Sequence, residues 1–158
     1  GRTTVFVDPI HESMDALSVI YSLLKSHEGI DLLIIMLGTN DVKERFGANA
    51  ACIAAGMERL ILKAKSVDCW GTKQPNILVV APPPIGAGFH AAVMGDGCVE
   101  KSAGVAAQFR IIKRSSCIAL IFSFPAPSAV RGLFSAACIA RINGLYSLQI
   151  FTLERTLP

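Results

Sequence analysis

Asp31-Leu-Leu-Ile-Ile-Met-Leu-Gly-Thr-Asn-Asp41 is the stretch on which the reading of the chain turns. Six apolar residues in a row, Leu32 to Leu37, stop at Gly38. A short unbroken apolar run with Ile-Ile in its middle reads as a strand buried on both faces. It is too short for a buried helix, and the next helical pattern starts only after Asp41. In an open α/β sheet, ligands bind just outside the carboxyl ends of the strands. That rule puts Gly38–Asp41 at a binding edge, with Asn40 offering a side-chain amide to a crevice. Turn propensities alone favour a plainer reading, a polar strand-to-helix turn in which Thr39 or Asp41 caps the next helix.

The literal string tips the balance. Gly38-Thr39-Asn40-Asp41 after an apolar strand resembles the Gly-x-Asn-Asp block of the SGNH (GDSL-like) hydrolases. Asp31 to Lys43 is similar to the arylesterase and acyltransferase branch of that family. A second stretch, Asn76-Ile-Leu-Val-Val-Ala-Pro-Pro-Pro84, begins about 35 residues after Asp41 and resembles the same branch in the same order. The resemblance implies an α/β fold, a three-layer α/β/α flavodoxin-like domain, here incomplete: the first strands missing and the C-terminal part atypical. It implies hydrolysis of short-chain acyl esters by a Ser nucleophile with an Asp-x-x-His pair, on a small-molecule substrate and without metal or organic cofactor. Asn40 would donate its amide to the oxyanion. Gly1-Arg-Thr-Thr4 is similar to the segment after the second family block, so Gly1 would be the backbone donor. Gly38, Thr39, Asp41 and the loop residue Trp70 are the further candidates to touch substrate. Trp70 packing over the sheet edge is an equal alternative.

At 158 residues with 52% hydrophobic content, the chain fits one domain with an ample core. A formal charge of +3 is too small to argue for nucleic acid. Its distribution is uneven: residues 1–112 carry 10 Lys+Arg against 11 Asp+Glu, and 113–158 carry 5 against 1. The composition therefore divides the chain into a partial hydrolase domain, 1–112, and an apolar, basic tail, 113–158, in which the resemblance stops. A change of reading frame near residue 113 is one account of that break. Five cysteines, widely spaced and without a Cys-x-x-Cys pair, argue against a zinc site and against a complete disulfide framework. They suit a reducing, cytoplasmic compartment. No basic and apolar leader follows Gly1, and the chain reads as a fragment. The apolar tail does not span a membrane, because only 16 uncharged residues separate Arg114 from Arg131 and two prolines interrupt them, against ~20 required.

Taken in order, Val5-Phe-Val7 reads as extended and stops at Asp8-Pro9. Residues 11–27 read as a helix, with Ser13 its N-cap and Gly29 its stop. His11 and His27 flank it as surface histidines with no carboxylate or nucleophile partner in view. Val42 to Lys65 reads as a sheet-covering helix, with Phe46, Ala50, Ile53, Met57, Leu60, Ile61 and Ala64 inward and Asn49, Arg59 and Lys63 outward. Ile77–Ala81 is a second buried strand, so strand, helix and strand specify a parallel βαβ unit. His90 falls in a Gly- and Ala-rich loop. Glu100 to Ile112 reads as a third helix with Val99, Ala103, Ala106 and Phe109 inward, and Cys117–Phe124 as a further strand. Residues 128–158 show no clear period.

The nucleophile block would lie before Gly1 and the Asp-His pair beyond residue 113, so the chain is expected to be inactive alone. A non-catalytic α/β interaction module is the alternative from another class. A nucleotide-binding βαβ domain is discounted for want of a glycine-rich phosphate loop. With two strands missing, Asp31–Leu37 would be left as an apolar edge, prone to associate with another chain.

Overall fold

The computed structural model describes residues 2–86, 98–109, 112, 119–122 and 149–151. Strand β1, Leu32–Ile35, forms inside the apolar run and pairs in parallel with β2, Ile77–Ala81, in the register Leu33↔Ile77 to Ile35↔Val79. The crossover between them is helix α2, Ala50–Lys65. Strand β3, Ala119–Phe122, lies parallel to β2 on its far side. Helix α1, Ala16–Lys25, precedes β1, and helix α3, Cys98–Phe109, precedes β3. The fold is α/β, as expected. Helices α1 and α2 pack together, as do α2 and α3. Gly1 and His90 lie outside the described residues.

Strand alternation explains the burial. Leu33, Ile35, Ile77, Val79 and Ala81 share one core with Ile20 and Leu24 of α1, Ile53, Met57, Leu60 and Ile61 of α2, and Val105 and Phe109 of α3. Ile34 and Leu78, on the opposite face by alternation, are buried too. That is the two-sided burial read from the run, at ~1.5–3 kcal/mol for each large aliphatic side chain withdrawn from water.

The expectation that β1 is a free edge is corrected. A last strand, β4, Gln149–Phe151, pairs with it antiparallel, Leu33 opposite Ile150, and the sheet order is β3-β2-β1-β4. A strand of three residues is too short to show a periodicity in the sequence.

Helix starts also differ, each for a local reason. Helix α1 begins at Ala16 because the Asp15 carboxylate accepts Ser18 N–H at 2.7 Å. Ser13, the expected cap, has φ 55° and lies outside the extended region that an N-cap requires. The helix expected from Val42 is divided: a single 3-10 turn, Glu44–Phe46, stops at Gly47 with φ 60°, and Asn49 then caps α2 by accepting Cys52 N–H. Phe46 therefore leaves the α2 stripe, and Asn49 is a cap. In α3 the inward residues are Cys98, Ser102, Val105 and Phe109, while Ala103 is exposed. Hydropathy passes over Ser102, yet its hydroxyl is satisfied, donating to Val99 O at 2.7 Å and accepting Ile85 N–H at 2.8 Å.

Candidate functional site

Because β1 and β2 run in parallel, Gly38 and Pro82 emerge at the same, carboxyl end of the sheet. They touch there. A Cβ built on Gly38 would stand 3.2 Å from Pro82 Cγ and 3.3 Å from Phe109 Cζ. Gly38 also has φ +122°, a conformation that side chains rarely adopt. The glycine thus lets the chain turn tightly beneath the Pro82–Pro84 segment. Thr39 and Asn40 follow in a turn that Lys43 N–H closes on Asn40 O. Both are half-buried.

A second segment, Arg2 to Ser13, folds onto this turn. Asn40 Nδ2 donates to Arg2 O at 3.2 Å. Thr4 N–H donates to Asp41 Oδ1 at 2.9 Å, and the Thr4 hydroxyl donates to the same oxygen. Asp8 accepts Arg45 Nη2 at 3.2 Å and Ile10 N–H at 2.8 Å. Phe6 packs on Phe46, and Arg45 lies 5.3 Å from the centre of the Phe46 ring. Glu44 pairs with Lys101 of α3 at 2.8 Å. The far side of the segment is tied to α1, since Ala16 N–H reaches Thr3 O and Thr4 O, and Leu17 N–H reaches Thr4 O.

Two carboxylates in this cluster shift in opposite directions. Burial pushes the Asp41 carboxyl above the ordinary aspartate value, against the lowering effect of its bonds from Thr4. The Ile10 N–H holds Asp8 below it, with burial opposing and Arg45 assisting. His11 does have a carboxylate neighbour, contrary to expectation: Asp8 Oδ1 lies 3.8 Å from His11 Nδ1. That is longer than a hydrogen bond, and His11 is exposed. Among the described residues, no group of three or more His, Cys, Asp or Glu side chains is placed to hold a metal ion.

Among solved structures, the chain is similar to Est24, a carbohydrate acetylesterase from Sinorhizobium meliloti. The TM-score is 0.64 and the identity 32%, over 77% of this chain and 58% of that one. It is similar as well to the aryl esterase of M. smegmatis, with a TM-score of 0.63 and 32% identity over the same shares of each chain. The chain resembles the SGNH (GDSL-like) hydrolases. It spans 58% of the length of these two esterases. No protein-family model and no curated protein matches it.

Placed beside the SGNH pattern, the candidate residues separate. Asn40 stands past the carboxyl end of β1, and Arg2, next in the chain to Gly1, is brought against it. Thr39 shares its turn. Gly38 is enclosed by Pro82, Val105 and Phe109 and is a packing residue. Asp41 is fully enclosed and bonded to Thr4, so it does not face substrate. Of the two readings of Trp70, the structure matches the packing one. Trp70 is 5% exposed, donates to Ala64 O at 3.4 Å, and sits in the loop before β2, at the amino end of the sheet. There Gly29 N–H and Ile30 N–H bond the Cys69 carbonyl, and Asn76 bonds the Asp31 carbonyl. The residues that sequence reasoning missed are Thr4, Asp8 and Arg45. Thr4 ends the Gly1–Thr4 stretch that carries part of the resemblance, but nothing there gives it a role of its own; Asp8-Pro9 carries only a turn signal, and Arg45 carries none.

Proposed function

We propose that residues 1–47 carry the oxyanion side of an SGNH-type ester hydrolase site. The single observation that carries this is the meeting of Asn40 with the Arg2 backbone past the carboxyl end of β1. A primary amide has two N–H donors. One is spent on Arg2 O and orients the group. The other remains to meet the oxygen that becomes negative when a nucleophile attacks an ester carbonyl. The Gly1 N–H is the second donor. Substrates are small esters of short acyl groups, acetylated sugars or aryl esters by analogy with the two esterases, and an alcohol in place of water makes the reaction an acyl transfer. No organic cofactor, metal or nucleic acid enters. The cysteine pattern suits the cytoplasm, and among the described residues no helix is long and apolar enough to cross a membrane. The chain alone is inactive in this reading, because no serine stands in the family's nucleophile block and no Asp-His pair stands where the family pattern needs it.

The test is a chimera in which residues 1–47 replace the corresponding segment of the M. smegmatis aryl esterase. It should hydrolyse p-nitrophenyl acetate and lose ~10²–10³ of its turnover on Asn40→Ala, the usual cost of one oxyanion donor. An active chimera indifferent to Asn40→Ala would refute the assignment. It would favour the second reading, a non-catalytic α/β interaction module in which Asn40 only ties two loops together. What favours that reading is that the Asn40 amide already bonds a carbonyl of its own chain.

A further inference from the structure

We propose that Asp41 is a positioning residue for the Asn40 amide, acting through Thr4 and the Arg2 carbonyl; the role rests on the oxyanion reading of Asn40. Asp41 and Thr4 are both fully enclosed, and one carboxylate oxygen takes both donors of Thr4, its N–H and its hydroxyl. The Thr4 carbonyl is taken by Ala16 and Leu17 at the start of α1. Thr4 thus has every polar group of backbone and side chain engaged, and it cannot slide relative to either neighbour. Arg2 is two residues away, and its carbonyl is the acceptor that orients Asn40, the residue next to Asp41. The loop is closed in four steps: Asp41 holds Thr4, Thr4 places Arg2, Arg2 orients Asn40, and Asn40 is bonded in the chain to Asp41.

The closure matters because of the range over which an oxyanion donor works. A donor aimed at a developing charge must lie within ~0.5 Å of its productive position. A side-chain amide on a free turn is not held so closely. The Arg2 side chain adds a tether of its own, donating to Ser13 O at 3.0 Å. Gly56 of α2 lies beneath the same segment, where a Cβ would come within 3.1 Å of Thr4 Oγ1, so the segment is pressed onto the helix at its closest point. The second oxygen of Asp41 has no hydrogen-bond partner among the described residues. A buried carboxylate so incompletely satisfied is costly to keep for stability alone. What it contributes, in this reading, is to hold Thr4 for the site.

The experiment uses the full chain, labelled with ¹⁵N, and reads two probes: the Asn40 side-chain NH₂ pair and the exchange rate of the Thr4 amide. Asp41→Ala should raise Thr4 exchange at least ~tenfold, the loss expected when a buried hydrogen bond worth ~1.4 kcal/mol is removed. It should also move the Asn40 NH₂ pair towards the position of a solvent-exposed amide. Asp41→Asn, which keeps the Oδ1 acceptor, should restore both. The amides of Ile53 to Ala64 in α2 report whether the fold is intact. Should Asp41→Ala fail to fold, Thr4→Val and Thr4→Ser carry the same test, with Val shifting the Asn40 pair and Ser leaving it in place. An Asn40 pair that stays put when Thr4 has lost protection would overturn the proposal. These probes do not depend on hydrolysis. A shifted pair alongside a chimera indifferent to Asn40→Ala would refute the oxyanion reading while the tie itself stood.

Discussion

Gly56→Ala sets two effects of known size against each other. Gly56 lies within α2, so replacing it with alanine gains ~1 kcal/mol of helix propensity. Against that gain stands the segment lying on the helix. The new methyl carbon would be 2.8 Å from Val5 Cγ2, 3.1 Å from Thr4 Oγ1 and 3.7 Å from Phe6 Cε2. Carbon atoms in contact prefer ~3.5–4.0 Å, so something has to retreat. Thr4 is fastened to Asp41 and to the start of α1. Val5 is branched at Cβ and stiff about χ1. Overfilling a packed site of this kind costs ~1–3 kcal/mol. The expected outcome is a net destabilisation of ~1 kcal/mol, read from the midpoint of urea unfolding followed by circular dichroism. Val5→Ala removes the nearest obstacle, so in that background Gly56→Ala should become neutral or stabilising. The coupling between the two positions should be ~1–2 kcal/mol, within the range for residues in contact. A Gly56→Ala chain more stable than the parent by the whole propensity term would refute the reasoning. So would a cost indifferent to the Val5 methyls.

Gly38→Ala should cost ~1–3 kcal/mol through its backbone conformation and the Pro82 contact, whereas Gly29→Ala, with φ +84° but open space around it, should cost less on the same unfolding curves. Deleting residues 149–158 uncovers the edge of β1, and size-exclusion chromatography should then show larger species than the full chain gives; an unchanged elution profile would refute a protective role for β4. For Asp8, whose folded value is depressed, the stabilisation is complete above the ordinary 3.8 and is lost as pH falls through the lower folded value, so Asp8→Asn should flatten the acid limb of a stability profile. Asp41 has the opposite sign: its raised folded value means the native state holds the extra proton, so stability declines as pH climbs from 3.8 through that value. Asp41→Asn should abolish this decline, and a profile unchanged by the substitution would show that Asp41 does not titrate in that window.

The central sheet was legible because its signals are local. Six apolar residues closed by glycine cannot be satisfied by one exposed face, and the parallel pairing of β1 with β2 follows from the length of the crossover. Helix boundaries were less legible because several cap signals compete within a few residues. Ser13 and Asp15 are both good caps on composition, and only Asp15 has the extended backbone that lets its oxygen reach Ser18 N–H. Gly47 and Asn49 together spell a stop and a restart, but a continuous apolar stripe from Phe46 masks them. In α3 hydropathy points to Val99, Ala103, Ala106 and Phe109; Phe109 is fully buried, Val99 and Ala106 are half-buried and Ala103 is exposed, because Cys98, Ser102 and Val105 repeat just as regularly and share the inward face. Nothing in hydropathy marks a serine as an inward residue when Ile85, 17 residues earlier, supplies its donor.

The site divides along the same line. Asn40 was named by a short string and by its place at the end of a strand, both of which a sequence carries openly. What aims it is not local. Thr4 is 37 residues from Asp41, and Arg2 is 38 from Asn40. Threonine and a backbone carbonyl are too common to stand out in a composition. As the fourth letter of the block, Asp41 reads as a substrate contact or a helix cap, and both roles require a carboxylate near the surface. Full enclosure removes both. A carboxylate out of reach of water must be neutral or be answered by donors, and here the donors are the two groups of Thr4. The Gly-x-Asn-Asp string therefore sets two different environments in adjacent letters, a half-buried amide bonded to Arg2 O and a fully buried carboxylate bonded to Thr4. Only the Arg2–Ser13 segment, 37 residues from Asp41 at Thr4, tells them apart.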